Sequence, residues 1–309
     1  MTITYKKQVR VFSMFTGIGG FELGIENSYI NHKMVGFSEV DKYAIKIFNK
    51  HFKGIKNYED ATRIDETKLP NFDLLVGGFP CQAFSVAGNL RGFDDTRGTL
   101  FFDIARILGH KKPKHFILEN VRGLLSHGSG RTFQRIIEVL NSKNYGVPQN
   151  RERVYIIGHL RGQSRPKVFP IRKSEEVSDS SREEKRKIGS TLSSAITSNY
   201  KKGVHALNEQ YIMEPREITK NQSMAYRIYR SDGVSATIKA VGGGVGAKTG
   251  LYKNGSEIRR LTPTECERLQ GFPDGWTEGI SDTQRYKCIG NAVTTNVITE
   301  IINRLYKKT

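Results

Sequence analysis

Over the first 160 residues, short and almost continuous apolar runs alternate with stretches whose apolar positions recur every three or four residues. The runs are VRVFSMF at 9–15, MVGFSEV at 34–40, FDLLVGG at 72–78, KHFILEN at 114–120 and RVYIIGHL at 153–160. Runs of this kind suit strands that are covered on both faces, as parallel strands are. Between them FELGIENSYI (21–30), KYAIKIFNKHF (42–52), TLFFDIARILGH (99–110) and TFQRIIEVLNS (132–142) carry helical spacing. Strands alternating with helices predict βαβ units, hence an α/β fold with a doubly wound, mostly parallel sheet. A further strand is expected near NYED (57–60).

Beyond Gly158 the pattern breaks down. KSEEVSDSSREEKRK (173–187) reads as a solvated linker or an exposed helix. RIYRSDGVSATIKAV (227–241) is strand-like and is followed by the glycine triplet Gly242–Gly244. Helical spacing returns at LTPTECERLQGF, where Thr262 or Thr264 could cap and Pro263 suits a first turn. NAVTTNVITEIINRLYKK (291–308) reads as a terminal helix, and no internal repeat is present.

Composition adds a partner. The 309 residues carry 49 Lys and Arg against 31 Asp and Glu, a net charge of +18, which points to a polyanion, most simply nucleic acid. From Arg161 to Arg260 there are 20 basic and 10 acidic residues, so this third of the chain holds +10 of the total. Sixteen Phe and thirteen Tyr can fill a real core, which argues against bulk disorder. No run approaches eighteen apolar residues and the first residues lack the apolar core of a signal peptide, so a cytoplasmic protein without a membrane span is expected. Cys81, Cys266 and Cys288 are odd in number, far apart and without CxxC spacing, against disulfides or a structural metal.

The candidate chemistry lies at the ends of the apolar runs. After Phe15 comes TGIGG and a helix, and glycines there let a ligand approach the backbone and the free helix amides. Glu39, about twenty residues on, could accept both ribose hydroxyls of a nucleoside, and Asp60 the exocyclic amine of an adenine. An acid at either place is also an ordinary loop residue; together they favour an adenosine-containing cofactor. In GGFPCQAFS, two glycines and Pro80 put Cys81 on a loop at the sheet edge where open α/β folds bind ligands. The following QAFSVAGNLRGFDDTRGTLF has the composition of an active-site lid. Glu119 closes the next strand, and Arg151 and Arg153, two residues apart, fall on one face of an extended chain. Such a triplet serves either as a surface salt-bridge set or, beside a thiol and a carboxyl, to hold an anion or polarise a carbonyl oxygen.

Thiol, carboxyl, guanidinium and adenosine cofactor form a coherent set for methylating an unreactive carbon such as cytosine C5. Cys81 would add to C6, Glu119 would serve N3 and the exocyclic amine, and Arg153 would bond O2. That carbon is closed off in a duplex, so the base must be flipped out.

With these motifs in order, FTGIGG, GGFPCQAFS, GFDDTRGTLFFDIARI, ENVRG, PQNRERVYIIG, RRLTPTECERLQGFP and KCIGNAV, the sequence resembles the cytosine-C5 DNA methyltransferases along nearly its whole length, in particular their HhaI-type bacterial branch. The resemblance implies a Rossmann-like fold that uses S-adenosylmethionine (AdoMet), with a smaller, irregular, β-rich target recognition domain. The catalytic domain would comprise 1–165 and 280–309, and the recognition domain with its hinge 166–279. AdoMet contacts would come from Phe15, Gly17, Ile18, Gly19, Gly20, Glu39, Val40, Asp60, Ala61, Pro80, Leu100, Asn291 and Val293. Catalytic roles would fall to Cys81, Glu119, Arg151 and Arg153, and DNA contacts to Ser85, Arg227, Thr237, Gly243 and Gly244, with no metal. The implied partner is double-stranded DNA. A cognate restriction endonuclease could belong to the same system, no obligate protein partner is evident, and a monomer suffices.

One departure stands out. Between the 132–142 helical pattern and NYGVPQ the family usually has a turn and a further strand, on the order of a dozen residues. Here Leu140 runs almost directly into Asn144. Either the strand is absent, which would expose an edge and weaken the support of Arg151 and Arg153, or the helix is shortened to supply it. Two further readings follow: a catalytically weak DNA-binding protein with the same fold, and a tRNA methyltransferase using the same chemistry.

Overall fold

The computed structural model describes residues 5–80, 100–121, 137–160, 168, 227–231, 234–240, 248–254 and 256–307. Six strands form one sheet: β1 (Tyr5–Met14), β2 (Ile30–Ser38), β3 (Leu74–Gly78), β4 (His115–Val121), β5 (Ile137–Asn141) and β6 (Glu152–His159). Their spatial order is β2-β1-β3-β4-β6-β5. β2, β1, β3 and β4 run parallel, and β6 is antiparallel to β4. This is the expected α/β class with a mostly parallel sheet.

Helices α1 (Gly20–Glu26), α2 (Lys42–His51) and α3 (Leu100–Lys111) follow β1, β2 and β3. Two 3-10 turns, Ala61–Arg63 and Glu66–Lys68, precede β3. α2 starts where Asp41 accepts from the Tyr43 and Ala44 amides, satisfying two orphan donors of the first turn. It buries Ala44, Ile47 and Phe48. On the α3 side of the sheet, Phe12, Met14, Leu75 and Leu118 pack with Ile104, Ile107, Phe72 and Phe79. Phe12 stacks on Phe72 with centroids 5.3 Å apart.

The helical pattern at 132–142 is overturned in its second half, where Ile137–Asn141 is strand β5. Ile137, Val139 and Asn141 also read with a period of two, so the local pattern fits either state. Pairing decides it, because β6 would otherwise carry a row of unmatched backbone groups. The end of that pattern thus supplies the strand, and β6 is not the sheet's edge. The strand expected near NYED reduces to an isolated bridge between Asn57 and Phe37.

A second, three-stranded sheet holds β7 (Ile228–Arg230), β8 (Leu251–Asn254) and β9 (Glu257–Arg260), in that order. After it come α4 (Pro263–Leu269), α5 (Asp282–Asn291) and α6 (Thr295–Leu305). Of the two candidate caps for α4, Thr262 is the one used. Its hydroxyl accepts from the Glu265 amide and the Glu265 carboxylate accepts in turn from the Thr262 amide, a reciprocal capping box with Pro263 in the first turn. The terminal helix starts at Thr295, and Asn291 instead ends α5, an element the pattern did not announce.

The chain divides into two compact units. One comprises Met1–Leu140, Glu152–Phe169 and Val297–Thr309; the other comprises Asn141–Arg151 and Pro170–Asn296. Among the described residues, no helix is long and apolar enough to cross a membrane.

Candidate active site

Within the first unit the C-terminal ends of β1, β2, β3 and β4 gather most of the residues singled out above. β1 ends at Met14, and the chain reverses through Phe15 (φ 55), Gly17 (φ 61) and Gly19 (φ 88). Phe15 is a bulky residue in the left-handed region, a strain on the order of 1–3 kcal/mol that is typically found at ligand sites. Gly19 is required twice over. Its φ disfavours any side chain, and a Cβ there would lie 2.4 Å from Cε2 of Phe52. Ile18 and Gly20 are buried in the same turn.

Glu39, just past β2, ties this turn down. Its Oε2 accepts from the Gly17 amide at 2.8 Å, while Oε1 accepts from the amides of Val40 and Asp41 at 2.8 and 2.9 Å. Asn57 fixes the Glu39 backbone from both sides, its Oδ1 accepting from the Glu39 amide and its Nδ2 donating to the Glu39 carbonyl. Asn57 carries no local sequence signal of this role. Asp60 caps the Ala61–Arg63 turn by accepting from the Thr62 amide and hydroxyl, at 3.0 and 2.8 Å, and these bonds hold its carboxyl below the usual range. Ala61 is buried beside it, whereas Val40 is 68% exposed, an apolar side chain at the site's rim. The turn, two carboxylates and an exposed aliphatic face suit a nucleoside with a sugar and a flat base.

The neighbouring part of the edge carries acid and guanidinium. Glu119, 8% exposed, stands opposite Gly78 on β3 and Tyr155 on β6. Arg153 brings Nε to 3.0 Å from its Oε1 and donates through Nη1 to the Glu152 carbonyl. The next residue, Asn120, is 1% exposed, and its Nδ2 donates to the Phe79 carbonyl at 3.1 Å. That bond anchors the peptide that leads through Pro80 to Cys81, a role for Asn120 that no local motif signals. Cys81 and Ser85 lie outside the described residues, as do Gly243 and Gly244. Leu100 is the first residue of α3 and is half-buried. Neither of the other cysteines suits a nucleophile: Cys266 and Cys288 are buried, and burial pushes the Cys266 thiol well above its ordinary range.

The remaining candidates belong to the second unit. Arg151 is 2% exposed and is committed to the main chain: Nη1 donates to the Ile238 carbonyl at 3.2 Å, and Nη2 to the carbonyls of Gly290 and Ala292 at 3.1 and 2.9 Å. Gln149, fully buried, donates to the Leu269 carbonyl, and Gln270 bonds the carbonyls of Ile289 and Ala292. Thr237 donates to the Asn150 carbonyl at 2.5 Å. The PQNR segment is therefore a clamp on two stretches of chain, 237–238 and 290–292. The structure joins Arg153 to Glu119 and uses the Arg151 guanidinium within this clamp. Asn291 is exposed at the end of α5, Val293 is buried, and Arg227 is half-buried beside β7.

Comparison with known proteins gives the family. The family model for the C-5 cytosine-specific DNA methylase matches residues 9–307. The type II methyltransferase M1.ScrFI of Lactococcus lactis subsp. cremoris is 37% identical over 96% of this chain and 77% of its own. The type II methyltransferase M.HhaI of Haemophilus parahaemolyticus is 36% identical over 94% and 92%. Among solved structures, the Dnmt2 methyltransferase of S. pombe superposes with a TM-score of 0.72 at 17% identity, over 96% of this chain and 98% of that one, a likeness of fold.

Proposed function

Because the chain belongs to the family of C-5 cytosine-specific DNA methylases, we propose that it transfers a methyl group from AdoMet to C5 of a flipped-out cytosine in a short specific duplex sequence. The observation that carries this reading is the Glu119–Arg153 pair, 3.0 Å apart at the sheet edge, one residue from the Asn120 bond that anchors the approach to Cys81.

The residues fit the cofactor. The Phe15–Gly20 turn offers close backbone approach, Glu39 and Asp60 keep acceptor lone pairs for ribose and adenine, and Val40 offers an apolar face; Ala61, Pro80 and Leu100 belong to the same contact set, with Asn291 and Val293. When bound, the cofactor supplies an electrophilic methyl group.

The chain's own side chains do the rest. Cys81 adds as a thiolate to C6 of the base, and the ring electrons shift toward C5 as Glu119 shares a proton with N3 and Arg153 bonds O2. C5 takes the methyl group, its proton is then lost to a base, and the C6–S bond breaks to return the thiolate. Ground-state cytosine has no oxyanion for Arg153, so its bond to O2 strengthens as charge develops, and the Glu119 carboxyl oxygen, 3.0 Å from the guanidinium, holds it ready. We assign Arg151 to support of this machinery through main-chain carbonyls.

Residues 166–279 form the recognition domain on this reading and carry most of the +10 segment, with Ser85, Arg227, Thr237, Gly243 and Gly244 as DNA contacts. The catalytic domain comprises 1–165 and 280–309. The protein acts as a cytoplasmic monomer on double-stranded DNA, alone or beside a cognate restriction endonuclease. The reading of a catalytically weak DNA-binding protein drew its motive from a missing strand, and β5 removes that motive.

The test is mechanism-based trapping. With AdoMet and a duplex containing 5-fluorocytosine in its target site, the protein forms a covalent adduct stable to denaturation, and Cys81→Ser forms none. Absence of an adduct across a cytosine-rich random duplex library would overturn the proposal. Labelled methyl transfer to tRNA but not to DNA would redirect it to the other substrate.

A further inference from the structure

One acid in the first unit is unaccounted for by this chemistry. Glu22, in the first turn of α1, is completely buried, and neither of its carboxylate oxygens has a hydrogen-bond partner among the described residues. It lies beside the Ser13 side chain, which is itself buried and accepts from the Thr16 hydroxyl at 3.0 Å. Thr16 belongs to the turn that Glu39 grips at Gly17.

We infer that Glu22 is a specificity-determining residue of the cofactor site, whose charge, present or absent beneath the glycine turn, makes the site prefer the cationic methyl donor to the demethylated product. The inference rests on the AdoMet reading. The two compounds share an amino group, a carboxylate and an adenosine, and differ in the positive charge of the sulfonium, which becomes a neutral thioether once the methyl group has left. A short-range contact reads shape, which the two largely share; a buried carboxylate reads net charge, in which they differ.

The surroundings suit this role because, among the described residues, no cation neutralises the acid. The charged groups acting on Glu22 are Glu26 on its own helix and Glu39 past β2, both of the same sign. From β1 it faces the neutral Ser13. α6 packs on α1 through the Thr299 hydroxyl and the Gly24 carbonyl, and its charged Glu300 and Arg304 pair with each other at 2.6 Å. Burial pushes the Glu22 carboxyl up to about 7, with the nearby Ser13 hydroxyl and the Glu22 amide opposing the rise and the two acids adding to it. Near neutral pH the side chain is therefore divided between its acid and carboxylate forms. A cation in the site above favours the carboxylate and expels a proton, so affinity for a cation rises as pH passes upward through this range. A ligand without the extra charge gains nothing.

The experiment is titration calorimetry of the full chain with AdoMet and separately with S-adenosylhomocysteine, between about pH 5.5 and 8.5. Each titration is repeated in two buffers of different ionisation enthalpy to count protons. The same titrations on Glu22→Gln carry the ligands' own amino and carboxylate ionisation unchanged, so the difference between parent and variant isolates Glu22. In the parent the ratio of the two affinities should shift toward AdoMet by on the order of fivefold or more across the range. AdoMet binding should release a proton fraction near pH 7 that homocysteine-form binding does not. In Glu22→Gln that shift should be lost. A flat ratio in the parent, or an equal rise in Glu22→Gln, overturns the inference; should the variant not fold, equal proton release by both ligands on the parent overturns it as well. Binding of neither compound at any pH would instead remove the AdoMet reading on which the inference rests.

Discussion

Glu22→Gln should convert a buried, pH-sensitive group into a neutral one of the same shape, and the consequence for stability can be worked through. The carboxyl sits at about 7 in the folded chain against 4.5 for an ordinary glutamate. Between those values the unfolded chain has already given up its proton while the folded chain still holds one, so folding becomes less favourable as pH rises. The loss starts near 4.5 and is complete above about 7. A difference of 2.5 pH units at about 1.4 kcal/mol per unit amounts to roughly 3 kcal/mol. At acid pH both side chains are neutral, so the variant differs from the parent only by the amide's own desolvation. Going to alkaline pH, the variant should gain about 3 kcal/mol relative to the parent. The single tryptophan, Trp276, lies in the other compact unit, so fluorescence is the wrong probe. Amide hydrogen exchange of the slowest β1 and β3 groups reads the right one. Corrected for intrinsic rates, the protection ratio of variant to parent should rise by roughly a hundredfold or more between acid and alkaline conditions. A ratio independent of pH would refute the reasoning, because it would mean that Glu22 ionises as freely in the fold as outside it.

Two further outcomes are expected. Arg151→Met strands the carbonyls of Ile238 and Gly290 and leaves the Ala292 carbonyl to Gln270 alone, and should cost the second unit roughly 3 kcal/mol, read by Trp276 fluorescence in urea; Arg151→Lys should recover only part, since one ammonium cannot copy the guanidinium fork. A midpoint equal to the parent's would remove Arg151 from the clamp. His115, 8% exposed, packs edge-on to His159 and Tyr306, and burial pushes its pKa down to about 4. The unfolded chain then takes up a proton near 6.5 that the fold refuses, so stability should fall as pH drops from about 6.5 to 4, by up to about 1.4 kcal/mol per unit. His115→Phe should flatten that slope, as measured by exchange of the β4 amides, and an unchanged slope would place the acid lability elsewhere.

What the sequence made legible follows from physics that acts locally. β1 to β4 and β6 stood out because strands covered on both faces must be apolar throughout, and the Gly17–Gly19 turn because its backbone demands glycine. Thr262 was visible as one of two possible caps, and only the Glu265 reply distinguished it from Thr264. β5 was hidden because Ile137–Asn141 satisfies two periods at once and a neighbouring strand decides between them. α5 was hidden because DTQRYKCIGN shows little apolar periodicity and is held by bonds from distant residues such as Gln270 and Arg151. Asn57, Asn120 and Gln149 act through carbonyls and amides far along the chain, and no spacing rule announces them. Arg151 and Arg153 looked equivalent in RER, yet one guanidinium serves the main chain and the other an acid. Glu22 looked like an ordinary polar position in FELGIE, since its isolation is a property of what surrounds it.

The last turn of β4 has a consequence for how this family of sequences can drift. Glu119 and Asn120 are adjacent, so the pleat sends them to opposite faces, one to Arg153 and the other to the Phe79 carbonyl. Sliding β4 by one residue against β3 and β6 would exchange the two, presenting an amide to the guanidinium and a carboxylate to a carbonyl oxygen. Both errors arise together and neither can be relieved alone. The pair therefore acts as a registration key: insertions or deletions within 115–120 are barred by the chemistry of the strand's end more than by its apolar middle, where Ile117 and Leu118 could trade places at small cost.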